Sequence, residues 1–327
     1  MAILFLLLLL LLLPFSSPAL SARCNPQDKK ALLQIKKDLK NPYLLASWTP
    51  DSDCCEWYCV KCDFTTHRIR SLSLANDGVS FQIPPAIGDL PYLDTLDLHK
   101  LPNLTGPIHP AIAKLTRLVF LGISWTSVSG PVPDFLPRLT NLESLYLPFN
   151  KLSGYIPPSL SQLHNLNEID LSRNKLTGPI PYTFGYFKNS PSLYLSRNQL
   201  SGKIPASLGK LNSSSIDLSG NKLQGDASML FGPNKLGLHM LDLSRNLLEF
   251  DLSKVNVPES MTWLDLNHNR IYGRLPVGLK ALQLQKLDVS YNLLCGPIPA
   301  GGSLQKMGKD SYMHNKCLCG SPLPLCK

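Results

Sequence analysis

Asp97, Asp170, Asp217, Asp242, Asp265 and Asp288 stand at one place in a repeating unit, each between two aliphatic residues, and Glu168 lies one row earlier. Paired carboxylates are the acid and base of glycoside hydrolysis, which needs two of them at a set separation across a cleft that excludes water. A row that repeats singles out no such pair. Cysteines offer a second chemistry. Cys59-Val-Lys-Cys62 has CxxC spacing, and Cys54, Cys55, Cys59 and Cys62 lie close enough in sequence to suggest zinc. No βαβ pattern supports a redox site there, and an oxidising compartment favours bridges over thiolate ligands. GxSxG, HExxH and phosphate-loop motifs are absent from the sequence. The reading is therefore a non-enzyme with no catalytic residue, metal ligand or cofactor.

The element that positions these residues is a leucine-rich unit of about 24 residues. The first aliphatic residue of its LxL core falls at Leu72, Leu96, Leu121, Leu145, Ile169, Leu193, Ile216, Leu241, Leu264 and Leu287. So regular a period predicts an α/β solenoid of ten coils, in which each coil buries its apolar face against its neighbours. LxL alternation gives a short strand per coil. Stacked in parallel, ten strands span roughly 45 Å at about 4.8 Å each. Asn150, Asn174, Asn198, Asn221, Asn246, Asn269 and Asn292 form a ladder just past the strands. Buried there, an Asn side chain can satisfy turn backbone groups of its own and adjacent coils. The first three coils lack it, with Thr126 in the third. Gly-x-Ile-Pro segments such as Gly178-Pro-Ile-Pro181 mark the turn away from the strand. The leucines that follow suit short 3₁₀ or helical turns on the convex side.

Residues 1–21 carry no charged side chain, and an apolar run is followed by small residues. This reads as a secretory signal. Residues 22–68 read as an N-terminal cysteine-rich cap, 69–299 as the repeats and 300–327 as a C-terminal cysteine-rich cap. In the first cap, Asn25-Pro26 looks like a helix start, with Ala31, Leu32, Ile35 and Leu39 at helical spacing. Trp48 and Trp57 are read as core against that helix. All nine cysteines lie at the two ends, where the exposed faces of terminal coils need covering. An odd count leaves at least one thiol unpaired. No second apolar stretch reaches spanning length. Asn103-Leu-Thr105 and Asn212-Ser-Ser214 are N-glycosylation acceptors. The net charge is +9 with scattered basic residues. That fits a polyanionic wall polysaccharide, or simple solubility, better than nucleic acid.

The GxIPxxLxxLxxLxxLxLxxN form is the plant-specific leucine-rich repeat. Arg23-Cys-Asn-Pro-Gln-Asp, Leu44-Leu-Ala-Ser-Trp48, Asp53-Cys-Cys-Glu-Trp57, Leu264-Asp-Leu-Asn-His-Asn-Arg270 and His314-Asn-Lys-Cys-Leu-Cys-Gly carry a closer likeness. With them the chain resembles the polygalacturonase-inhibiting proteins of plant cell walls. The resemblance implies a right-handed leucine-rich repeat superhelix with a concave parallel sheet and disulfide caps. It implies the bridges Cys24–Cys54, Cys55–Cys62, Cys295–Cys317 and Cys319–Cys326. Cys59 departs from the family's aliphatic residue and is read as a buried small hydrophobe or a source of misbridging. The implied function is a secreted inhibitor of fungal, and by extension insect, endopolygalacturonase in the plant wall. Oligogalacturonides then survive as defence elicitors, and basic residues hold the protein to pectin.

On this fold the variable positions of xxLxLxx point onto the concave face. The row between the core leucines offers Asp97, Tyr146, Asp170, Tyr194, Asp217, Asp242 and Asp265. One row earlier come Phe120, Ser144, Glu168, Ser192, Ser215, Met240 and Trp263, and one row later His99 with Ser124, Ser172, Ser196, Ser219, Ser244 and Asn267. These are the expected partner-binding surface: an acidic stripe with aromatic anchors. Leu-Asp-Leu-Ser is also repeat consensus, so Asp242, Asp265 and Asp288 read equally as generic.

Overall fold

The computed structural model describes residues 24–327 apart from 77, 79, 233 and 327. The expected secretory signal, residues 1–21, lies outside the described residues. Asn25 caps the helix Pro26–Asp38, its Oδ1 accepting from the N–H groups of Gln27 at 3.0 Å and Asp28 at 3.4 Å, with Pro26 in the first turn. Asp28 is fully buried. It is held by the Arg68 guanidinium at 2.7 and 2.9 Å and by the Ile69 N–H at 2.9 Å. The cap helix is thereby tied to the first repeat strand. Trp48 and Trp57 are buried and stack with ring centroids 5.6 Å apart.

Ten parallel strands follow, from Ile69–Ala75 to Lys286–Asp288, in the sheet that faces the hollow of the solenoid. Leu72 pairs laterally with Leu96, Leu96 with Leu121, and so on to Leu264 with Leu287. These ten aliphatic residues are at most 1% exposed. An eleventh strand, Val60–Cys62, comes from the N-terminal cap and pairs antiparallel with Ile69–Ala75. It covers an edge that would otherwise present unpaired backbone groups.

The Asn ladder is built as its spacing predicts. Asn174 Nδ2 donates to Leu147 O at 2.9 Å and Leu171 O at 3.1 Å, while its Oδ1 accepts the Leu152 N–H at 2.9 Å. Thr126 takes the same post in the third coil, donating to Asn150 and accepting from the Val128 N–H. Asn315 adds a further rung beyond the last repeat. The residues that lead into the Gly-x-Ile-Pro turns form strands of their own. Six short strands, from Ser129–Gly130 to Leu247–Leu248, make a second parallel sheet along the flank. Convex 3₁₀ turns such as Pro158–Gln162 and Ala206–Lys210 complete the coils.

The sulfurs pair as Cys24–Cys54, Cys55–Cys62, Cys295–Cys317 and Cys319–Cys326. Among the described residues, the two groups of donor atoms close enough to hold an ion, Cys24 with Cys55 and Cys62, and Cys24 with Asp53 and Cys54, draw on bridged sulfurs. Cys59 is free and half-buried rather than fully buried, and burial pushes its thiol up to about 11. The thiol thus stays protonated and a poor nucleophile at neutral pH. No helix among the described residues is long and apolar enough to cross a membrane.

Candidate functional site

In each repeat strand the two core aliphatics point inward and the residue between them points into the hollow. Lateral register then turns single positions into rows. Asp97, Gly122, Tyr146, Asp170, Tyr194 and Asp217 are successive neighbours, continued by Asp242, Asp265 and Asp288. The row before them runs Phe120, Ser144, Glu168, Ser192 and, further on, Ser215, Met240, Trp263 and Lys286. The candidate residues therefore lie on one continuous face. They are half-buried there, except Trp263, which is 40% exposed, and Asp265, which is buried.

The carboxylates of this face are of two kinds. Asp170, Asp217, Asp242, Asp265 and Asp288 each accept the N–H two residues on, from Ser172, Ser219, Ser244, Asn267 and Ser290 at 2.8–3.1 Å. They close the strand as Asx turns. Ser124, Ser172, Ser196, Ser244 and Asn267, expected to face outward, are instead buried, Ser172, Ser244 and Asn267 beneath this turn. Burial pushes the Asp170 and Asp242 carboxyls above the usual range, opposed by the Ser172 and Ser244 bonds. Asp97 is the other kind. Its strand runs on to His99, whose ring nitrogen bonds Ser124 Oγ at 2.8 Å. A Cβ at Gly122 would lie 2.7 Å from Asp97 Oδ1 and 2.6 Å from the Phe120 ring. Glycine there lets Phe120 fold down beside Asp97. Burial, then the charges of Asp170, Glu168 and Asp97, push the Tyr146 phenol up.

A ridge borders this face. Trp125, Phe149, Arg173, Arg197, Arg245, His268, Tyr291 and His314 all take positive φ, one residue ahead of the Asn ladder or its Thr126 equivalent. Trp125 and Phe149 stack at 3.7 Å between ring centroids, and the Arg173 guanidinium lies 4.5 Å from the Phe149 ring centre. His268, Tyr291 and His314 stack in turn at 4.1 and 4.2 Å. The sequence reading missed this ridge. Its signal was available: the residue before each ladder Asn is large and aromatic or basic in most coils.

Both sequons lie off the concave strands. Asn103 and Asn212 are exposed. Asn103 Nδ2 donates to Gly78 O at 2.5 Å, and Asn212 Oδ1 accepts the Gly237 N–H at 3.2 Å.

Residues 25–63 match the leucine rich repeat N-terminal domain, and residues 141–163, 165–187 and 192–211 match the leucine rich repeat. The chain is 62% identical over 324 residues to a polygalacturonase inhibitor of Pyrus communis, covering 99% of this chain and 98% of that protein. It is 61% identical over 325 residues to polygalacturonase inhibitor 1 of Arabidopsis thaliana, covering 98% of each. Among solved structures it superposes on a plant ice-binding protein with a TM-score of 0.92 and 53% identity, over 94% of this chain and 99% of that one. Ten register-locked coils between disulfide caps, matched end to end at this identity, place the chain in the polygalacturonase inhibitor family of plant leucine-rich repeat proteins.

Proposed function

We propose that the protein is a secreted inhibitor of fungal endopolygalacturonases, with extension to insect enzymes, which it docks on its concave face to limit pectin breakdown in the plant cell wall. The observation that carries this is the likeness to named inhibitors at 59–62% identity over essentially the whole chain. The face supports it. Phe120, Tyr146, Tyr194, Met240 and Trp263 supply broad apolar anchors, and Glu168 with the Asp row supplies negative potential for a basic partner rim. A non-enzymatic role is supported by the carboxylates themselves, since five are bound into strand-closing turns and none forms a distinct pair across a cleft. Exposed Arg173, Arg197 and Arg245 on the bordering ridge suit the carboxylates of polygalacturonate.

The test is reducing-sugar release from polygalacturonic acid by a panel of fungal endopolygalacturonases, with and without the purified protein. Saturable inhibition of at least one enzyme is expected; none across the panel, with the protein shown folded, overturns the reading. The likeness to an ice-binding protein favours a second reading, which measured thermal hysteresis would establish. Against it, the rows mix Asp, Ser and bulky aromatics, where an ice plane calls for a flat, uniform array.

The sequons give a further prediction. Asn103→Gln and Asn212→Gln are each expected to lose one glycan's worth of apparent mass on a gel. Inhibition should stay within about twofold of the parent, because both asparagines are exposed and lie outside the concave strands. A tenfold loss in either variant would move the docking surface toward the coil edges.

A further inference from the structure

Asp217, Asp242, Asp265 and Asp288 are lateral partners in the sheet, each directly beside the next. Parallel strands lie about 4.8 Å apart, so Asp242 and Asp265 each have a carboxylate on both sides. None can swing clear. Their Oδ1 atoms are held by the N–H groups of Ser219 at 3.0 Å, Ser244 at 2.9 Å, Asn267 at 3.1 Å and Ser290 at 3.0 Å. Asp265 is the most enclosed, 7% exposed. Asp242 faces it from one neighbouring strand, Asp288 and Lys286 face it from the other, and Asn267 Nδ2 donates to it at 2.6 Å. The Lys286 ammonium stands 3.9 Å from Asp265 and 3.5 Å from Asp288. One cation divided between two carboxylates leaves the row with excess negative charge. Burial first, with Asp242 and Asp288 adding to it, pushes the Asp265 carboxyl up to about 6, against the pull of Asn267 and Lys286.

We propose that Asp265, enclosed in this row, holds a proton, and that loss of the proton gates docking at the C-terminal half of the concave face. The inference rests on the reading of that face as the docking surface. With the proton in place the row is less negative and a basic partner surface is held more weakly. Once it leaves, the row gains a fixed charge that the partner can pair with. By linkage, a partner that lowers this proton affinity tenfold on binding must itself bind about tenfold tighter above the titration than below it.

The first arm needs no partner. In a carbon-13 carboxyl titration, one Asp signal is expected to move with a midpoint near about 6. It should vanish in Asp265→Asn, which keeps an oxygen for the Asn267 N–H. The midpoint should rise in Lys286→Met. Every Asp carboxyl titrating in the ordinary range overturns the proposal. The second arm compares inhibition of an endopolygalacturonase by wild type and Asp265→Asn across the same pH range. Their ratio cancels the enzyme's own titration. Wild type is expected to equal the variant at low pH and exceed it about tenfold near pH 7. A ratio that stays constant with pH overturns the gating. Inhibition of no enzyme at any pH removes the docking reading and the gating with it, while the carboxyl titration still reports the proton.

Discussion

Asn198→Ala is expected to lower the free energy of unfolding by about 3–4 kcal/mol. Asn198 Nδ2 donates to Leu171 O at 2.9 Å, Leu195 O at 3.1 Å and Ser196 O at 3.3 Å, and its Oδ1 accepts the Leu176 N–H at 3.0 Å. The side chain is buried and joins its own coil to the preceding one. Alanine removes all four bonds and admits no water in exchange, so buried backbone groups lose their partner outright. Asn198→Asp is expected to be no milder. It keeps the acceptor for Leu176 but turns an anion toward three carbonyl oxygens. Exposed Asn189→Ala should change stability by less than about 0.5 kcal/mol. Urea unfolding followed by circular dichroism measures all three. A loss below about 1 kcal/mol for Asn198→Ala would mean that water or a backbone shift replaces the rung, and the ladder would not be what locks one coil to the next.

The difference between Asn198 and its exposed neighbours is also why so much of the fold was legible. A leucine or asparagine that must be buried once per coil leaves a period in the sequence, and Leu72 to Leu287 and Asn150 to Asn292 could be placed without coordinates. What escaped was shorter than a period or non-repeating. The flank strands, such as Lys175–Gly178, hold one buried aliphatic between less buried residues, too little alternation to distinguish strand from turn. Val60–Cys62 pairs antiparallel with the first coil through a contact made once. Asn315 lies beyond the last LxL unit, so its rung had no repeat to announce it. The bridge partners came from the family likeness, because spacing alone permits many pairings. In the site, the rows themselves were legible. Which members are committed to the fold was not, because that depends on the N–H two residues on. Ser172 and Asn267 look like surface residues in sequence, yet sit under the turn that an aspartate closes.

That commitment shapes the most severe functional prediction, charge reversal at Glu168 and Asp170. Glu168→Lys with Asp170→Lys is expected to abolish inhibition of any enzyme the parent inhibits, a loss of at least about a hundredfold. Near the middle of the concave rows, Asp170 lies between Tyr146 and Tyr194 and Glu168 between Ser144 and Ser192. Charges there face the centre of a docked partner, where water is excluded and like charges cost most. The two positions do not report equally. Asp170 accepts the Ser172 N–H at 2.8 Å, so lysine there removes a turn bond as well as a charge. Glu168 sits one row earlier, so Glu168→Lys alone reads the surface, with an expected loss of about thirtyfold. Asp170→Asn keeps the accepting oxygen and removes only the charge, so its loss should fall between those of parent and double reversal. If Glu168→Lys and Asp170→Asn, both with parental unfolding curves, inhibit at full strength, the concave face is not where the enzyme binds. The aspartate row is then repeat architecture alone, and the Trp125 to His314 ridge becomes the surface to mutate next.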